Sequence, residues 1–448
     1  MKRSALLILA LTLFIDLLGF GLIIPLIPVY IRSFGGAPWV GGMLLACYSL
    51  MQFIFAPIWG RMSDKHGRRP IILVGLIGSA CAFLAFGLSN TLILLFIARV
   101  AAGGLTAATI PTAQAYIADV TTPEKRSGGM AILGVAFGLG FAFGPVIGGY
   151  AVKFSIFHLP PLATPALIAA GLSFFNFIWA FFMLPESHHE ETRKEIAAQE
   201  AAEGGFKALP AIANALKSPT IGAQLTVFAI VTFAFTAVES SFSWLVILRF
   251  KEQILLAARN LQHSADPSVL WNALSRLQQT DWVEKAQAAT TSHIFLIVGM
   301  TALVVQGMLI RGLTRVINEH LLVRIGAGLL TLTLFGIAFA HTLPFLYLLS
   351  AATAISTSLL NPPLAALITE SAGPRERGTL SGIQQGLGSM ARVIAPPINN
   401  YFVGIQTAIP FISSAFLMLI GFFLSFRIKP MLHQRKGKSE SPAGSFVE

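Results

Sequence analysis

Long apolar runs separated by short polar turns dominate the chain. Most of these runs reach the ~20 residues that an α-helix needs to cross the ~30 Å apolar core of a bilayer. We count twelve such runs, in two sets of six, which predicts an all-α membrane protein with twelve transmembrane helices. The predicted helices cover residues 5–31, 38–60, 70–89, 91–118, 127–152, 163–184, 219–248, 291–312, 321–341, 343–369, 378–403 and 408–428.

Two polar stretches interrupt this pattern. Residues 185–218 are rich in Glu, Ala and Lys and separate the two sets, which predicts a partly helical cytoplasmic linker. Residues 249–290 place Leu and Trp at near-helical spacing among polar residues. They predict one or two amphipathic helices on the membrane surface or over the outer mouth, with a passive insertion as the alternative. The predicted domains are an N-terminal bundle at 1–184, a C-terminal bundle at 219–430 that carries this insert, and a cytoplasmic tail at 431–448.

Basic residues occupy alternate loops. Only 11% of residues are charged, against about 25% in a soluble domain. The net charge is +11, yet the loops between helices 3 and 4, 9 and 10, and 11 and 12 contain no Lys or Arg. This positive-inside pattern predicts both termini in the cytoplasm and argues against nucleic-acid binding, while the basic face is expected to attract anionic lipid. Helix 1 has no cleavage site and is expected to be retained, and the lack of an Asn-x-Ser/Thr sequon favours a bacterial inner membrane.

The two halves repeat one another at a constant offset of 251 residues. Prolines, acidic residues and arginines recur in order at corresponding helix ends, which chance does not produce. Two halves of the same topology predict two pseudo-symmetric six-helix bundles that rock about a central site, as in transporters. The repeated pairs are Pro111 and Pro362, Asp119 and Glu370, Pro123 and Pro374, Arg126 and Arg377, and Pro145 and Pro396.

The loop between helices 2 and 3 reads GRMSDKHGRRP over residues 60–70. Its glycines allow a tight turn, and its acid can accept hydrogen bonds from a helix N-terminus or an arginine. Such charge contacts can latch two bundles together in one state and release them in another. This stretch closely resembles motif A of the major facilitator superfamily. The gating residues that the resemblance implies are Gly60, Asp64, Gly67, Arg68 and Arg69.

Three further stretches narrow the resemblance. Helix 1 carries Asp16 in the run DLLGFG, and helix 4 carries Arg99 before two glycines, as in motif B. Helix 5 reads GFAFGPVIGG over residues 140–149, which resembles motif C, the antiporter motif. Its small residues permit close helix approach and its proline supplies a bend. The alternative to an antiporter role is therefore tight helix packing with no bearing on the direction of transport. The antiporter-motif residues are Gly140, Gly144, Pro145, Gly148 and Gly149.

Taken together, the chain resembles the twelve-helix drug:proton antiporter family, near its tetracycline-efflux branch. The resemblance implies the major facilitator fold, with helices 1, 4, 7 and 10 around a central cavity. It also implies transport driven by a proton gradient without a bound cofactor. We expect a small-molecule substrate, protons and the lipid bilayer as partners, no nucleic acid, and a monomer.

Four ionisable residues lie at membrane depth, where a charge costs at least a few kcal/mol: Asp16, Arg99, Glu239 and Arg392. Counting ~1.5 Å per residue from the helix ends places Asp16 and Arg99 at nearly the same level. They are therefore predicted to form a buried pair, either a static pair that fixes packing or a site where proton and substrate compete. Glu239 is predicted to act similarly, to attract a cationic substrate, or to lie solvated near the outer mouth. Arg392 is predicted to pair with Glu239 or to attract an anionic substrate.

Other polar residues are secondary candidates. Gln114 and Asn361 are predicted to line the cavity. The repeat-related helix ends carry Asp119, Arg126, Glu370 and Arg377, which are predicted gate contacts, with simple solvation of helix ends as the alternative.

Enzymatic chemistry finds no support in the sequence. There is no Gly-x-x-x-x-Gly-Lys phosphate loop and no metal-ligand cluster, and the two cysteines, Cys47 and Cys81, lie in apolar helices. The first hypothesis is proton-coupled efflux of small amphiphilic compounds. The second is import or facilitated passage of a metabolite, possibly an anion. The third is a non-transporting receptor or assembly factor that binds a partner through residues 249–290.

Overall fold

The computed structural model of the chain describes residues 2–121, 126–156, 159–160, 162–187, 218–254, 276–371 and 377–428. Within these ranges the chain forms helices and no strand. Residues 188–217 of the predicted linker, 255–275 of the predicted insert and the tail from 429 onward lie outside them. The α-helices are α1 (Lys2–Ile23), α2 (Ile27–Ser33), α3 (Pro38–His66), α4 (Arg68–Gly87), α5 (Leu92–Thr106), α6 (Thr109–Val120), α7 (Arg126–Ala151), α8 (Ala163–Met183), α9 (Pro219–Arg249), α10 (Arg276–Val304), α11 (Ile310–Val316), α12 (Glu319–Ala338), α13 (Leu343–Glu370), α14 (Arg377–Ile405) and α15 (Ile409–Ser425).

Helices that continue one another form twelve consecutive passes. α1 and α2 make one pass, joined by a short 3-10 turn at Ile24–Leu26, where Pro25 and Pro28 remove two backbone donors. α5 and α6 make another, interrupted only at residues 107–108. A π-helical turn at Val305–Leu309 joins α10 to α11. This grouping confirms the predicted twelve-helix architecture.

The passes run in alternating directions between two ends of the bundle. We name them the Arg68 end, where α3 meets α4, and the Arg32 end, where α2 finishes. Nine of the described helical segments are long and apolar enough to cross a membrane, while Gly138–Ala151 of α7 and Ile409–Ser425 are shorter apolar helices.

The eighth pass starts earlier than predicted. α10 begins at Arg276, whereas the hydropathy pattern places the start at residue 291. Residues 276–290 therefore continue a spanning helix at the Arg32 end and do not form a separate helix, while their predicted placement on the membrane surface or over the outer mouth stays a prediction. Their frequent polar side chains hide this extension from any boundary that is drawn on hydropathy.

The repeat is visible in the packing. α3 packs against α14, and α7 packs against α10. The 251-residue offset relates α3 to α10 and α7 to α14, so the two interfaces are equivalent. Helix ends follow the same offset: Thr91 precedes α5 as Thr342 precedes α13, and Arg126 starts α7 as Arg377 starts α14.

Apolar clusters divide the molecule by half and by end. A cluster around Leu9 and Tyr116 lies at the Arg68 end and contains only residues of the first six passes. A cluster around Leu330 contains only residues of the last six. A third lies at the Arg32 end and combines both halves, with Tyr30 and Trp244 among its members. The halves therefore share a common core at one end of the bundle.

Candidate functional site

The two halves are sealed together at the Arg32 end. Arg32 Nη1 donates to Gln287 Oε1 at 3.3 Å, and Tyr150 OH lies 3.0 Å from His293 Nε2. A Cβ built on Gly42 would lie 2.8 Å from Pro397 Cα, so the backbones of α3 and α14 touch. Only a residue without a side chain permits this approach.

Toward the Arg68 end the described residues form apolar clusters within each half and none that joins the two halves. A Cβ built on Gly138 would still lie 3.6 Å from Leu303 of the other half. One turn further, a Cβ on Gly307 meets no atom of the described residues within 4 Å, and the same holds at Gly60 and Gly382. These three glycines therefore make no such close approach to the other half, unlike Gly42 at the Arg32 end.

Several polar side chains in the middle of spanning helices are exposed or half-buried. Gln114, Gln306 and Gln385 are exposed, and Gln52 is half-buried. Polar groups at membrane depth are tolerated where they line a water-filled cavity. Asn361 is half-buried on α13, the repeat counterpart of the pass that carries Gln114. Whether Gln114 and Asn361 contact a substrate stays a prediction.

Asp16 lies in the first half, just below the seal, with 9% of its surface exposed. Ser79 Oγ on α4 donates to Asp16 Oδ1 at 2.9 Å. Among the described residues no basic group lies within the 4.0 Å of an ion pair with Asp16. The predicted Asp16–Arg99 pair is therefore absent in this conformation, because the two side chains find other partners.

Arg99 is enclosed by aromatic rings. Its guanidinium lies 4.7 Å from the centre of the Phe86 ring and 5.7 Å from that of Tyr48, and the residue is 2% exposed. Cation–π attraction to these rings offsets part of the cost of burying the charge. Nε and Nη2 nevertheless have no hydrogen-bond partner in the part of the chain that the structure describes. Arg99 thus retains donor capacity that another conformation or a ligand could use.

Tyr48 connects the charged groups, and the sequence patterns did not single it out. Its hydroxyl lies 3.1 Å from Thr106 Oγ1 and accepts from Gln52 Nε2 at 3.0 Å. Its ring stacks on Phe20 at 5.4 Å. The phenol lies within electrostatic range of Asp16, Arg99 and Arg392. A lone tyrosine in an apolar helix carries no spacing signal, so only the three-dimensional arrangement reveals this role.

Glu239 and Arg392 form the corresponding charged region of the second half. Both are half-buried, on α9 and α14, and they lie within electrostatic range of each other. Neither makes an ion pair within 4.0 Å with another residue that the structure describes. The predicted Glu239–Arg392 proximity is therefore present, but a closed salt bridge is not.

The motif A residues form a network inside the first half. Arg68 binds Asp64 at 2.5 Å, Ser63 at 2.7 Å and Asp119 at 3.0 Å. Gly67 adopts a φ of +102°, which lets α3 turn directly into α4. The network joins the α3–α4 turn to the end of α6.

The chain after α8 completes this network. Glu186 accepts from the backbone N–H groups of Arg68 at 2.9 Å and of Arg69 at 3.2 Å, where it neutralises the N-terminus of α4. Arg69 also donates to the carbonyl of Phe181. Glu186 was not a sequence candidate. The side chains of Arg126, Glu370 and Arg377 lie outside the described part, so their predicted gating role stays untested.

The antiporter-motif glycines hold α7 against α1. Cβ atoms built on Gly140 and Gly144 would lie 2.8 Å from Leu17 Cβ and from Gly21 Cα, respectively. Gly148 meets the backbone of Leu22 in the same way. Gly149 faces the other half and touches Ser292 of α10, and Pro145 lies inside the helix. Through this motif α7 packs against α1 of its own half and against α10 of the other half.

Comparison with known proteins agrees with this architecture. The sequence profile of the Major Facilitator Superfamily matches residues 9–259 and 268–448. The class E tetracycline resistance protein of Escherichia coli is 37% identical over 192 residues, which are 42% of this chain and 45% of that protein. The matched region thus spans about half the length of that relative.

Two further similarities extend over most of the chain. Major facilitator superfamily domain-containing protein 10 of Bos taurus is 27% identical over 435 residues, covering 86% of this chain and 84% of that protein. The crystal structure of the human organic anion transporter MFSD10 superposes with a TM-score of 0.65 at 24% identity, covering 95% of this chain and 99% of that one. The expected fold and the resemblance to tetracycline-resistance proteins are confirmed.

A profile that matches nearly the whole chain agrees with the twelve passes and the repeated halves. The members of this family are transporters and not enzymes, as the sequence predicted. The chain is therefore an integral, multi-pass membrane protein that takes a small-molecule substrate, and it belongs to the Major Facilitator Superfamily.

Proposed function

We propose that this protein exports small amphiphilic organic compounds in exchange for protons, by alternating access. The observation that carries the proposal is the asymmetry of the contacts between the halves. They meet at the Arg32 end and part at the Arg68 end, and the acid Asp16 lies between these regions. The similarity to tetracycline-resistance proteins supports efflux as the direction.

The orientation follows from the charge pattern. Because the loops at the Arg68 end are the basic ones, this end faces the cytoplasm and both termini lie there. The described conformation is then open to the cytoplasm and closed to the outside. We place the protein in a bacterial inner membrane, acting as a monomer.

Coupling requires that proton and substrate exclude each other. In this conformation Asp16 is nearly buried and accepts a hydrogen bond from Ser79. Rocking of the halves changes the exposure and the partners of Asp16, so that it takes up a proton on one side of the membrane and releases it on the other. The proton gradient supplies the driving force, and no cofactor is needed.

A second candidate function is import or facilitated passage of an anionic metabolite. The unpartnered donors of Arg99 and the open position of Arg392 favour it. Membership of a transporter family weighs against the third hypothesis, a receptor without transport activity. Residues 255–275, through which such a receptor was expected to act, lie outside the described part.

The proposal is tested with purified protein in liposomes that contain a pH-sensitive dye. Under an imposed pH gradient we expect uptake of amphiphilic drugs into vesicles whose lumen is acidic, with accompanying proton efflux. Movement of small anions alone, in the same direction as the protons and not in the opposite direction, would favour the second candidate. No solute movement in either direction would contradict both candidate functions.

A further inference from the structure

Arg392 occupies an unusual position on α14. Pro396, one turn further along this helix, lies against Gly42 in the seal, so Arg392 lies on the face of α14 that meets the first half. A Cβ built on Gly388 would lie 3.8 Å from Arg392 Nη1 and 3.4 Å from Phe228. Arg392 Nη1 and the Phe228 ring therefore both lie close to Gly388.

The donors of Arg392 are not used within the protein. It makes no hydrogen bond or ion pair with any residue that the structure describes, although Glu239 and Tyr48 lie within electrostatic range. A guanidinium carries five N–H donors in a planar fork, and leaving it unsatisfied at membrane depth is costly. The half-buried side chain instead remains partly exposed, so that a ligand can approach it.

Arg99 is not an equivalent binding group. Phe86 and Tyr48 cover it, and only 2% of its surface is exposed. Of the two arginines at membrane depth, Arg392 is the one that a substrate can reach without prior rearrangement.

Aromatic groups surround the same region. Phe228 lies next to Gly388 on one side, and the stacked pair of Phe20 and Tyr48 lies on the other half. Aromatic side chains can pack on an apolar ring system, while a planar acidic group matches the guanidinium fork.

We propose that Arg392 binds the anionic group of an aromatic organic acid, and that Glu239 competes for the same guanidinium when the site is empty. This inference rests on the proposed transport of amphiphilic compounds and narrows their class to carboxylates and similar acids. Substrates with a carboxylate would pair with Arg392 through two parallel hydrogen bonds, and their ring would lie near Phe228.

The test compares two probes of the same shape, 2-naphthoate and 2-naphthamide, by titration calorimetry on the purified full-length protein. Wild type should bind the acid at least about tenfold more tightly than the amide, as expected for charge-assisted hydrogen bonds. Arg392→Gln should abolish this preference, and Arg392→Lys should retain only part of it because a point charge replaces the fork.

Two further variants make the result specific. Arg324→Gln is the matched control, because Arg324 packs on Phe426 far from the cavity, and it should leave the preference unchanged. Glu239→Gln should bind the acid about threefold to tenfold more tightly, because the competing negative charge is gone. If Arg392→Gln does not fold, the change in acid affinity of Glu239→Gln tests the inference in its place.

Equal affinity for the two probes, no binding of either, or a preference that persists in Arg392→Gln would overturn the inference. These outcomes are separate from failure of the proposed transport. Selective binding of naphthoate without flux under a pH gradient would leave the anion subsite in place and remove proton coupling. Proton-coupled flux without a preference for the acid over the amide would keep the proton coupling and remove the anion subsite.

Discussion

Ser79 Oγ donates a hydrogen bond of 2.9 Å to Asp16 Oδ1, and this bond takes the place that an ion pair with Arg99 was expected to fill. It joins α1 to α4 inside the first half. Because Ser79 is fully buried and Asp16 nearly so, the carboxyl group senses the hydroxyl more than bulk solvent. The acid that we propose as the proton carrier is thus tuned by a neutral neighbour, while the nearby arginine remains held by aromatic rings.

Removal of this hydroxyl should change the pH dependence of transport. In Ser79→Ala the carboxylate loses a stabilising hydrogen bond, so the protonated acid is favoured and the pH–rate profile moves toward higher pH by about one unit. Ser79→Thr keeps a hydroxyl and should stay near wild type. If the pH–rate profiles of wild type, Ser79→Ala and Ser79→Thr are identical, Ser79 has no role in proton coupling.

The Arg68 network should contribute measurably to stability. Asp119→Asn removes a charged partner of a guanidinium that is only 8% exposed, and we expect a loss of about 1–3 kcal/mol and a lower Tm. Lys65→Gln, in the same motif but exposed, is the control and should leave Tm unchanged. Thermal unfolding in detergent measures both, and equal Tm values would show that the network adds nothing.

The close approach at Gly42 should be needed to seal the Arg32 end. In Gly42→Val the side chain would overlap the backbone of Pro396 and Pro397, so the halves cannot close there and transport should fall at least about tenfold. Gly171→Ala places its Cβ in open space and is the matched control.

The sealing prediction has a second readout. In a background without Cys47 and Cys81, a cysteine at Gln287 should react faster with a water-soluble thiol reagent when Gly42→Val is present. Unchanged reactivity together with normal transport would show that α14 shifts to accommodate the side chain.

The aromatic enclosure of Arg99 should stabilise the first half. Phe86→Leu keeps apolar volume but removes the ring 4.7 Å from the guanidinium and its edge contact with Tyr30, and should cost about 1–3 kcal/mol. Phe154→Leu alters a ring that is 66% exposed and should be neutral. A neutral Phe86→Leu would mean that Arg99 is stabilised by other groups.

Hydrophobic periodicity predicted the twelve passes because each pass must satisfy its backbone internally to cross lipid, and that constraint is local in sequence. The repeat predicted which interfaces correspond. It could not predict that residues 276–290 continue a spanning helix, since polar residues at a helix end lower hydropathy without breaking the helix.

Site chemistry was harder to predict for a different reason. Depth counting placed Asp16 and Arg99 at one level, and both indeed lie near Tyr48. Depth does not fix the direction in which a side chain points around its helix, so the choice of Ser79 and Phe86 as their partners appeared only in three dimensions. Arg392 was recognised by its charge, but its unused donors became evident only from the packing.

The central claim is that Asp16 exchanges a proton for substrate. The most direct measurement is drug-induced proton release from proteoliposomes, comparing wild type with Asp16→Asn at equal protein content and equal Tm. We predict that an amphiphilic drug triggers proton movement in the wild type and none in Asp16→Asn, while the variant still binds the drug. Undiminished proton movement in folded Asp16→Asn would contradict the account and move the coupling role to Glu239.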